Sequence, residues 1–172
     1  HGRLQGLQEG MGVIDMKTQL RKSLLTTIAT LAASLLTLHA AQAYEVVKPL
    51  VDTASLPASA KTWDEPNPLR SNKDAAVIGR SAFNQACAQC HGADANGSRS
   101  PAPDLRRMGI GCRHIQDEAL RTRCMGDADA FFIKSVRYGK QKFGIVHMPP
   151  WEGVLTPEVV WSIRSFVETA PK

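Results

Sequence analysis

The feature that most constrains this chain is the pentapeptide CAQCH, which runs from Cys87 to His91. Cys87 and Cys90 stand three positions apart, and His91 follows directly. Two thiols at this spacing can add to the two vinyl groups of one haem, and the adjacent imidazole then lies under the iron as its proximal ligand. The motif therefore predicts one covalently bound haem c, attached through Cys87 and Cys90 and ligated by His91.

Three other interpretations of this cysteine pair have less support. A thioredoxin-like redox pair needs a preceding strand and a βαβ context, whereas the residues before Cys87 follow a helical pattern. A zinc site needs a second closely spaced pair, and the remaining cysteines, Cys112 and Cys124, are far apart in the chain. A simple disulfide between Cys87 and Cys90 leaves His91 without a role.

The N-terminal residues are predicted to direct export and not to belong to the folded domain. Residues 1–15 are interpreted as an upstream remnant. Residues 16–43 combine a basic start, an apolar stretch over Leu24–Leu38 and the small-residue sequence AQA, which is the pattern of a secretory signal peptide. A membrane anchor has less support because the apolar run is shorter than the ~20 residues that cross a bilayer. We expect cleavage after Ala43 and no stable membrane span in the mature protein.

Charge and cysteine content narrow the function classes of the mature part. From Tyr44 onward the chain has 17 Lys and Arg residues and 14 Asp and Glu residues. The basic residues are dispersed, with no run longer than Arg106-Arg107, so nothing indicates nucleic-acid binding. All four cysteines lie in this part, and export places them in an oxidising compartment.

The mature chain divides into an arm and a domain. Residues 44–73 hold four prolines and show little periodicity, which predicts an extended arm over the domain surface, anchored by Trp63 and Leu69. Residues 74–172 are expected to form the folded domain. Its first helix is predicted over Asp74–Ala86, with Asp74 as N-cap. Its apolar positions at helical spacing are Val77, Ile78, Phe83 and Ala86.

Two further helices are predicted in this domain. One begins at Asp127 or Asp129 and stops at Gly139. The last begins after Thr156, with Pro157 at its first position. The segments before and after the middle helix read as loops, and no strand pattern competes. The expected class is all-α, a small, loop-rich helical domain around one haem.

A haem that carries electrons needs a second axial ligand. The candidates in the mature chain are Met108, Met125, Met148, His114 and His147. Met148 is preferred because it lies in a loop after the middle helix, and Pro149-Pro150 stiffens the backbone there. Met108 is too close to His91 along the chain, and Met125 is expected to pack in the core. His147 is the second choice.

These residues resemble the class I cytochrome c family. The matching pieces are Gly79 and Phe83, CAQCH, Pro103 with Leu105, Met148 and Trp161. The resemblance implies the cytochrome c fold, in which the first and last helices cross and Gly79 permits their close approach. It also implies that the Pro103 carbonyl accepts the Nδ1 proton of His91 and so fixes the ring. Pro101 is the alternative for that role.

A narrower resemblance is to soluble periplasmic cytochromes that accept electrons from quinoprotein (PQQ-dependent) alcohol dehydrogenases. It rests on the segments TWDEPNPLR, GIGCRHIQDEALRTRC and MPPWEGVLTPEVVWSIRSFVE. The resemblance implies a periplasmic electron carrier and not an enzyme, with such a dehydrogenase as donor and a downstream cytochrome or terminal oxidase as acceptor. The alternatives are a haem enzyme or sensor with an open sixth site, and a haem subunit fixed in a dehydrogenase complex.

The segment GIGCRHIQDEALRTRC departs from the minimal class I pattern. We expect a disulfide between Cys112 and Cys124 to close it, with one helical turn over Asp117–Arg123 inside. Its role is a structural staple or, alternatively, a rigid surface for docking. The side chains of Lys134, Arg137, Lys140 and Lys142 form either a rim that steers an acidic partner or an ordinary solvated face.

Overall fold

The computed structural model describes residues 46–64, 66–99 and 102–171. The upstream remnant, the signal peptide with its cleavage point, and Pro101 lie outside the described residues, and those expectations stay predictions. The elements are α1 Lys73–Ala86, α2 Ala88–His91, α3 Glu118–Tyr138, β1 Lys140–Lys142, β2 Ile145–Met148 and α4 Pro157–Thr169, with 3-10 turns at Ala58–Lys61, Ala93–Ala95, Leu105–Arg107 and Cys112–His114. No helix of this part of the chain is long and apolar enough to cross a membrane. The mainly helical class is confirmed.

The core forms where α1 crosses α4. A Cβ on Gly79 would overlap the backbone carbonyl of Ser162, so only glycine permits this approach. Phe83 of α1 and Phe166 of α4 pack beside the crossing, with ring centroids 5.4 Å apart. The crossing that the family resemblance implied is therefore confirmed.

The start and the buried face of α1 differ from the prediction. The N-cap is Asn72, whose side chain accepts a hydrogen bond from the Ala75 N–H at 3.0 Å. Asp74 lies inside the first turn, where its charge complements the helix dipole, so its assignment as N-cap was wrong. Val77 is exposed. The buried face consists mainly of small residues, which let α4 come close: Ala75, Gly79, Ala82, Phe83 and Ala86.

The proline-rich arm packs on the helical core. Leu69 is fully buried, and Leu56 and Ala60 are buried as well. The indole N–H of Trp161 in α4 donates to the Thr62 carbonyl at 2.8 Å. Because α4 has α1 against one side and the arm against another, every residue from 159 to 167 is buried.

Two predictions between Cys112 and Met148 were wrong. The middle helix begins at Glu118, well before Asp127, and Asp117 caps it by accepting from the Leu120 N–H at 2.8 Å. The segment after Gly139 is not all loop, because β1 and β2 pair as an antiparallel hairpin. Its two-residue turn has positive φ at both Phe143 (52°) and Gly144 (77°), which matches the twist of paired strands.

A buried charge cluster ties the arm, α3 and α4 together. Asp129 and Arg164 are both 0% exposed. Arg164 Nε donates to Asp129 Oδ1 at 2.8 Å, and its Nη2 lies 2.9 Å from Glu168 Oε1. Arg70 of the arm contacts both carboxylates. The Asn67 N–H also donates to Asp129 Oδ2 at 2.9 Å. We call Arg70, Asp129, Arg164 and Glu168 the buried charge cluster.

Candidate haem site

The three residues of the CAQCH motif are brought to one helical turn. Cys87 ends α1 and precedes α2. Its carbonyl accepts hydrogen bonds from the N–H groups of Cys90, at 3.1 Å, and His91, at 3.0 Å. Residues three apart on a helix share a face, and both cysteine residues remain partly exposed. Two thiols on one face with an imidazole at their end suit attachment to a single flat ring.

The environment of Cys87 favours a neutral thiol. Burial raises the pKa of the Cys87 thiol to about 12, and the charge of nearby Cys90 acts in the same direction. A redox C-x-x-C pair works in the opposite way, because its attacking cysteine needs a lowered pKa. A helix, and not a strand, leads into the motif. Both observations speak against a thioredoxin-like site.

His91 is held so that one ring nitrogen is left for a metal. Its Nδ1 lies 3.2 Å from the Pro103 carbonyl oxygen. Burial lowers the pKa of the His91 imidazole, and the bond to Pro103 only partly opposes this. A neutral ring that donates from Nδ1 presents the lone pair of Nε2 to a metal. The ring also packs near Phe83, with centroids 6.4 Å apart, so the α1–α4 crossing supports its orientation.

Met148 stands at the end of β2 on a restrained backbone. A Cβ on Gly139 would overlap the Met148 carbonyl, and the Trp151 N–H donates to Val136 at 2.9 Å, so the segment after β2 lies against the end of α3. Met148 is half-buried and packs against the core. His147 is exposed. Successive strand residues point to opposite faces, and this geometry favours Met148 over its neighbour.

Of the other candidate iron ligands, His114 and Met125 are placed less favourably than Met148, and Met108 is placed similarly. His114 is exposed. Met125 lies beside Gly109 and Arg164, next to the buried charge cluster. Met108 is half-buried against the core, as Met148 is. Met108 is therefore the remaining alternative to Met148 as a sulfur ligand of the iron, and an experiment on Met148 must include a Met108 variant.

The donor set fits haem better than it fits a bare metal ion. In the described ranges no three His, Cys, Asp or Glu side chains converge as a zinc site requires. Cys87, Ala88, Leu105, Met108 and Met148 pack against the core and are still partly exposed. A flat apolar group lying over such side chains would complete their burial. The residues present therefore suit a haem with two thioethers, a nitrogen ligand and a sulfur ligand.

The structure joins Cys112 and Cys124 in a disulfide, with Cα atoms 5.5 Å apart. The bond connects the 3-10 turn at Cys112–His114 to α3. Arg121 Nη1 donates to the Ile115 carbonyl at 3.1 Å and braces the same loop. This bond explains how the first turns of α3 form without a continuous apolar stripe.

Removing this disulfide with Cys112→Ser and Cys124→Ser is expected to lower the free energy of unfolding by about 2–3 kcal/mol, because the bond closes a short loop. Urea unfolding of the haem-loaded protein, followed by far-ultraviolet circular dichroism, measures the loss. Thioethers resist thiol reductants, so dithiothreitol should destabilise the wild type and leave the double variant unchanged. If the wild type is equally stable with and without the reductant, the disulfide does not stabilise the fold.

Comparisons with known proteins found a family model and a relative that this chain resembles. Residues 74–167 match the family model described as "Cytochrome C oxidase, cbb3-type, subunit III", a range that contains every site residue from Cys87 to Met148. The chain is similar to cytochrome c550 of Pseudomonas aeruginosa, with 36% identity over 129 residues that cover 73% of this chain and 79% of that protein. No solved structure matches significantly.

Proposed function

The chain belongs to the cytochrome c family, and we propose that it is a periplasmic electron carrier with one haem c, for which His91 and Met148 would supply the iron ligands. As a member of this family it binds haem c covalently and transfers electrons, and it is not an enzyme. Bound haem c supplies an iron that gains and loses one electron at a time. Export through residues 16–43 would bring the chain to the compartment of its partners.

One observation carries the ligand assignment. His91 Nδ1 faces the Pro103 carbonyl, so Nε2 is the nitrogen left for the iron. Cys87 and Cys90 would supply the two thioethers, and the Pro103 carbonyl would fix the tautomer of the His91 imidazole and raise its basicity. The Met148 sulfur would be the second iron ligand, and a thioether ligand would raise the potential of the haem and keep small ligands away from the iron.

We further propose a quinoprotein (PQQ-dependent) alcohol dehydrogenase as the donor. The support is the resemblance of the arm, the disulfide-closed insertion and the C-terminal segment to cytochromes with that donor. The acceptor would be a downstream cytochrome or a terminal oxidase. The description of the matching family names an oxidase subunit and is compatible with an acceptor of that kind.

Stopped-flow reduction tests the donor. The oxidised protein is isolated from the periplasmic fraction, where its intact mass should equal residues 44–172 plus one haem. A different mass would refute cleavage after Ala43 or the single haem.

The protein is then mixed with candidate quinoprotein alcohol dehydrogenases, alongside an unrelated c-type cytochrome of similar potential. At least one dehydrogenase should reduce this protein several-fold faster than the control. If none does, the donor assignment fails and the family assignment stands.

A further inference from the structure

The two residues that follow Met148 cannot tie it to the fold through backbone N–H groups. Both are prolines, Pro149-Pro150, and proline has no N–H to donate. The backbone restraint comes just after them, where the Glu152 N–H donates to the Arg137 carbonyl at the end of α3, at 3.2 Å. The position of Met148 therefore depends on how firmly this segment is held to α3.

The side chain of Arg137 adds a second restraint at the same point. Its Nε donates to Glu152 Oε1 at 2.9 Å, and its Nη2 contacts the same oxygen. The sequence grouped Arg137 with three lysines as a basic rim or a solvated face, but the structure gives its charge a carboxylate partner. Backbone and side chain of Arg137 thus both hold Glu152, four residues after Met148.

The Arg137 guanidinium is in turn held by the proline-rich arm. Its Cζ lies 4.9 Å from the Trp63 ring centroid. Trp63 packs against the core, and the carbonyl of its neighbour Thr62 accepts the indole N–H of Trp161. Stacking on an aromatic ring leaves the edge of a guanidinium available for hydrogen bonds, so Arg137 can contact Trp63 and Glu152 together.

We propose that Trp63, Arg137 and Glu152, which we call the arm clamp, are positioning residues for the Met148 sulfur. The inference rests on the proposed function, in which that sulfur is an iron ligand. Trp63 holds Arg137, Arg137 holds Glu152, and Glu152 holds the short segment back to Met148. The arm clamp gives the proline-rich arm a role at the haem site, because it keeps the sulfur from leaving the iron.

Groups that do not touch a metal commonly orient the ligands that do. The Pro103 carbonyl has this role for His91, and the arm clamp has it for Met148. The alternative is that the three residues only attach the arm to α3. A measurement of stability does not separate the two roles, because both predict a loss. The rate at which the Met148 sulfur leaves the iron does separate them.

Imidazole binding to the ferric, haem-loaded protein measures this rate. The bond from the Met148 sulfur to the iron breaks, an imidazole nitrogen takes its place, and the iron stays ferric. At high imidazole concentration the observed rate therefore levels off at the rate at which the sulfur leaves. Stopped-flow absorbance at the sulfur-to-iron charge-transfer band follows the exchange.

Two variants of the arm clamp should raise the limiting rate. We expect Trp63→Leu and Glu152→Gln each to raise it about five- to tenfold, the change that follows the loss of one partly desolvated contact. Trp63→Phe keeps an aromatic face and should restore the rate to within about twofold of the wild type. Because Trp63 acts through Arg137 on Glu152, combining Trp63→Leu with Glu152→Gln should raise the rate little beyond the larger single effect.

Two controls alter the protein away from the arm clamp. Cys112→Ser with Cys124→Ser removes the disulfide, and Glu118→Gln breaks an Arg–Glu pair at the other end of α3. Both should change the limiting rate less than about twofold, since an exposed pair contributes little and neither control touches the arm. Glu152→Gln keeps the shape of the side chain, so it decides the test if Trp63→Leu binds haem poorly.

The outcomes separate this inference from the proposed function. If the clamp variants do not raise the rate, if the controls raise it equally, or if the two clamp effects simply add, the arm clamp does not position the sulfur. The proposed function stands in those cases as long as Met148→Ala removes the charge-transfer band. If Met148→Ala keeps the band, the ligand assignment and the arm clamp are both wrong.

Discussion

Replacing Met148 by alanine is expected to lower the reduction potential by on the order of 0.2 V, a fraction of the roughly 0.8 V range that axial haem ligands set. A thioether sulfur raises the potential relative to nitrogen or water ligands, so its removal lowers the potential. The sulfur-to-iron charge-transfer band near the red edge of the ferric spectrum should disappear at the same time. Potentiometric titration and visible spectroscopy measure the two effects.

The chain offers three matched controls for this prediction. Met108→Ala tests the remaining sulfur rival, which is also half-buried against the core. Met125→Ala removes a sulfur near Gly109 and Arg164. His147→Ala alters the neighbouring strand residue, which is exposed. All three should keep the band and shift the potential only slightly. If Met108→Ala removes the band and Met148→Ala does not, Met108 is the ligand. A high-spin ferric wild type would instead favour the open sixth site.

The two outer helices and the haem motif could be predicted because their signals are local. The predicted first helix, Asp74–Ala86, differs by one residue from α1, and α4 begins at Pro157 as expected. Pro157 at the first position is the local signal for the start of α4, whereas Thr156 makes no side-chain capping hydrogen bond. The haem motif is predictable because its three functional residues lie within one helical turn. Pro103 entered only through the family resemblance, since no spacing rule points to it.

The missed elements depend on contacts that local patterns do not encode. The first half of α3 lacks an apolar stripe, and the Asp117 cap and the bond to Cys112 hold it. The hairpin is exposed along nearly its whole length. It therefore lacks the alternation of buried and exposed residues that marks a strand. The remaining sequence evidence for the hairpin was the Phe143-Gly144 pair at its turn, and phenylalanine is uncommon in such a turn.

The buried charge cluster was missed for a related reason. In the sequence its members look like ordinary surface charges, because isolated Asp, Glu and Arg residues are nearly always exposed. They come from the arm, α3 and α4, and Arg70 and Glu168 are 98 positions apart. Only the packing of the three segments brings them together. Asp129, which was considered as a possible helix start, lies within α3 as the acceptor at the centre of the cluster.

Replacing Asp129 by asparagine is accordingly expected to lower the free energy of unfolding by about 3–5 kcal/mol, the usual cost of breaking a buried ion pair. Asparagine keeps the shape of the side chain and removes the charge that Arg164 and Arg70 contact. Arg164 is fully buried, and among the described residues Glu168 would remain as its anionic partner. Burial already lowers the pKa of the Arg164 guanidinium, because desolvation disfavours its charged form, and the loss of Asp129 removes one of the two carboxylates that oppose this.

Asp94→Asn is the matched control, because it removes the carboxylate from a pair that water reaches. Arg80 and Asp94 are bonded at 2.8 Å with 61% and 37% of their side chains exposed. Surface pairs of this kind contribute about 0–1 kcal/mol, and asparagine tolerates the positive φ of residue 94. Urea unfolding of both haem-loaded variants should show a much lower midpoint for Asp129→Asn alone. Equal midpoints would mean that packing on α4, and not the buried charge cluster, holds the arm to the helices.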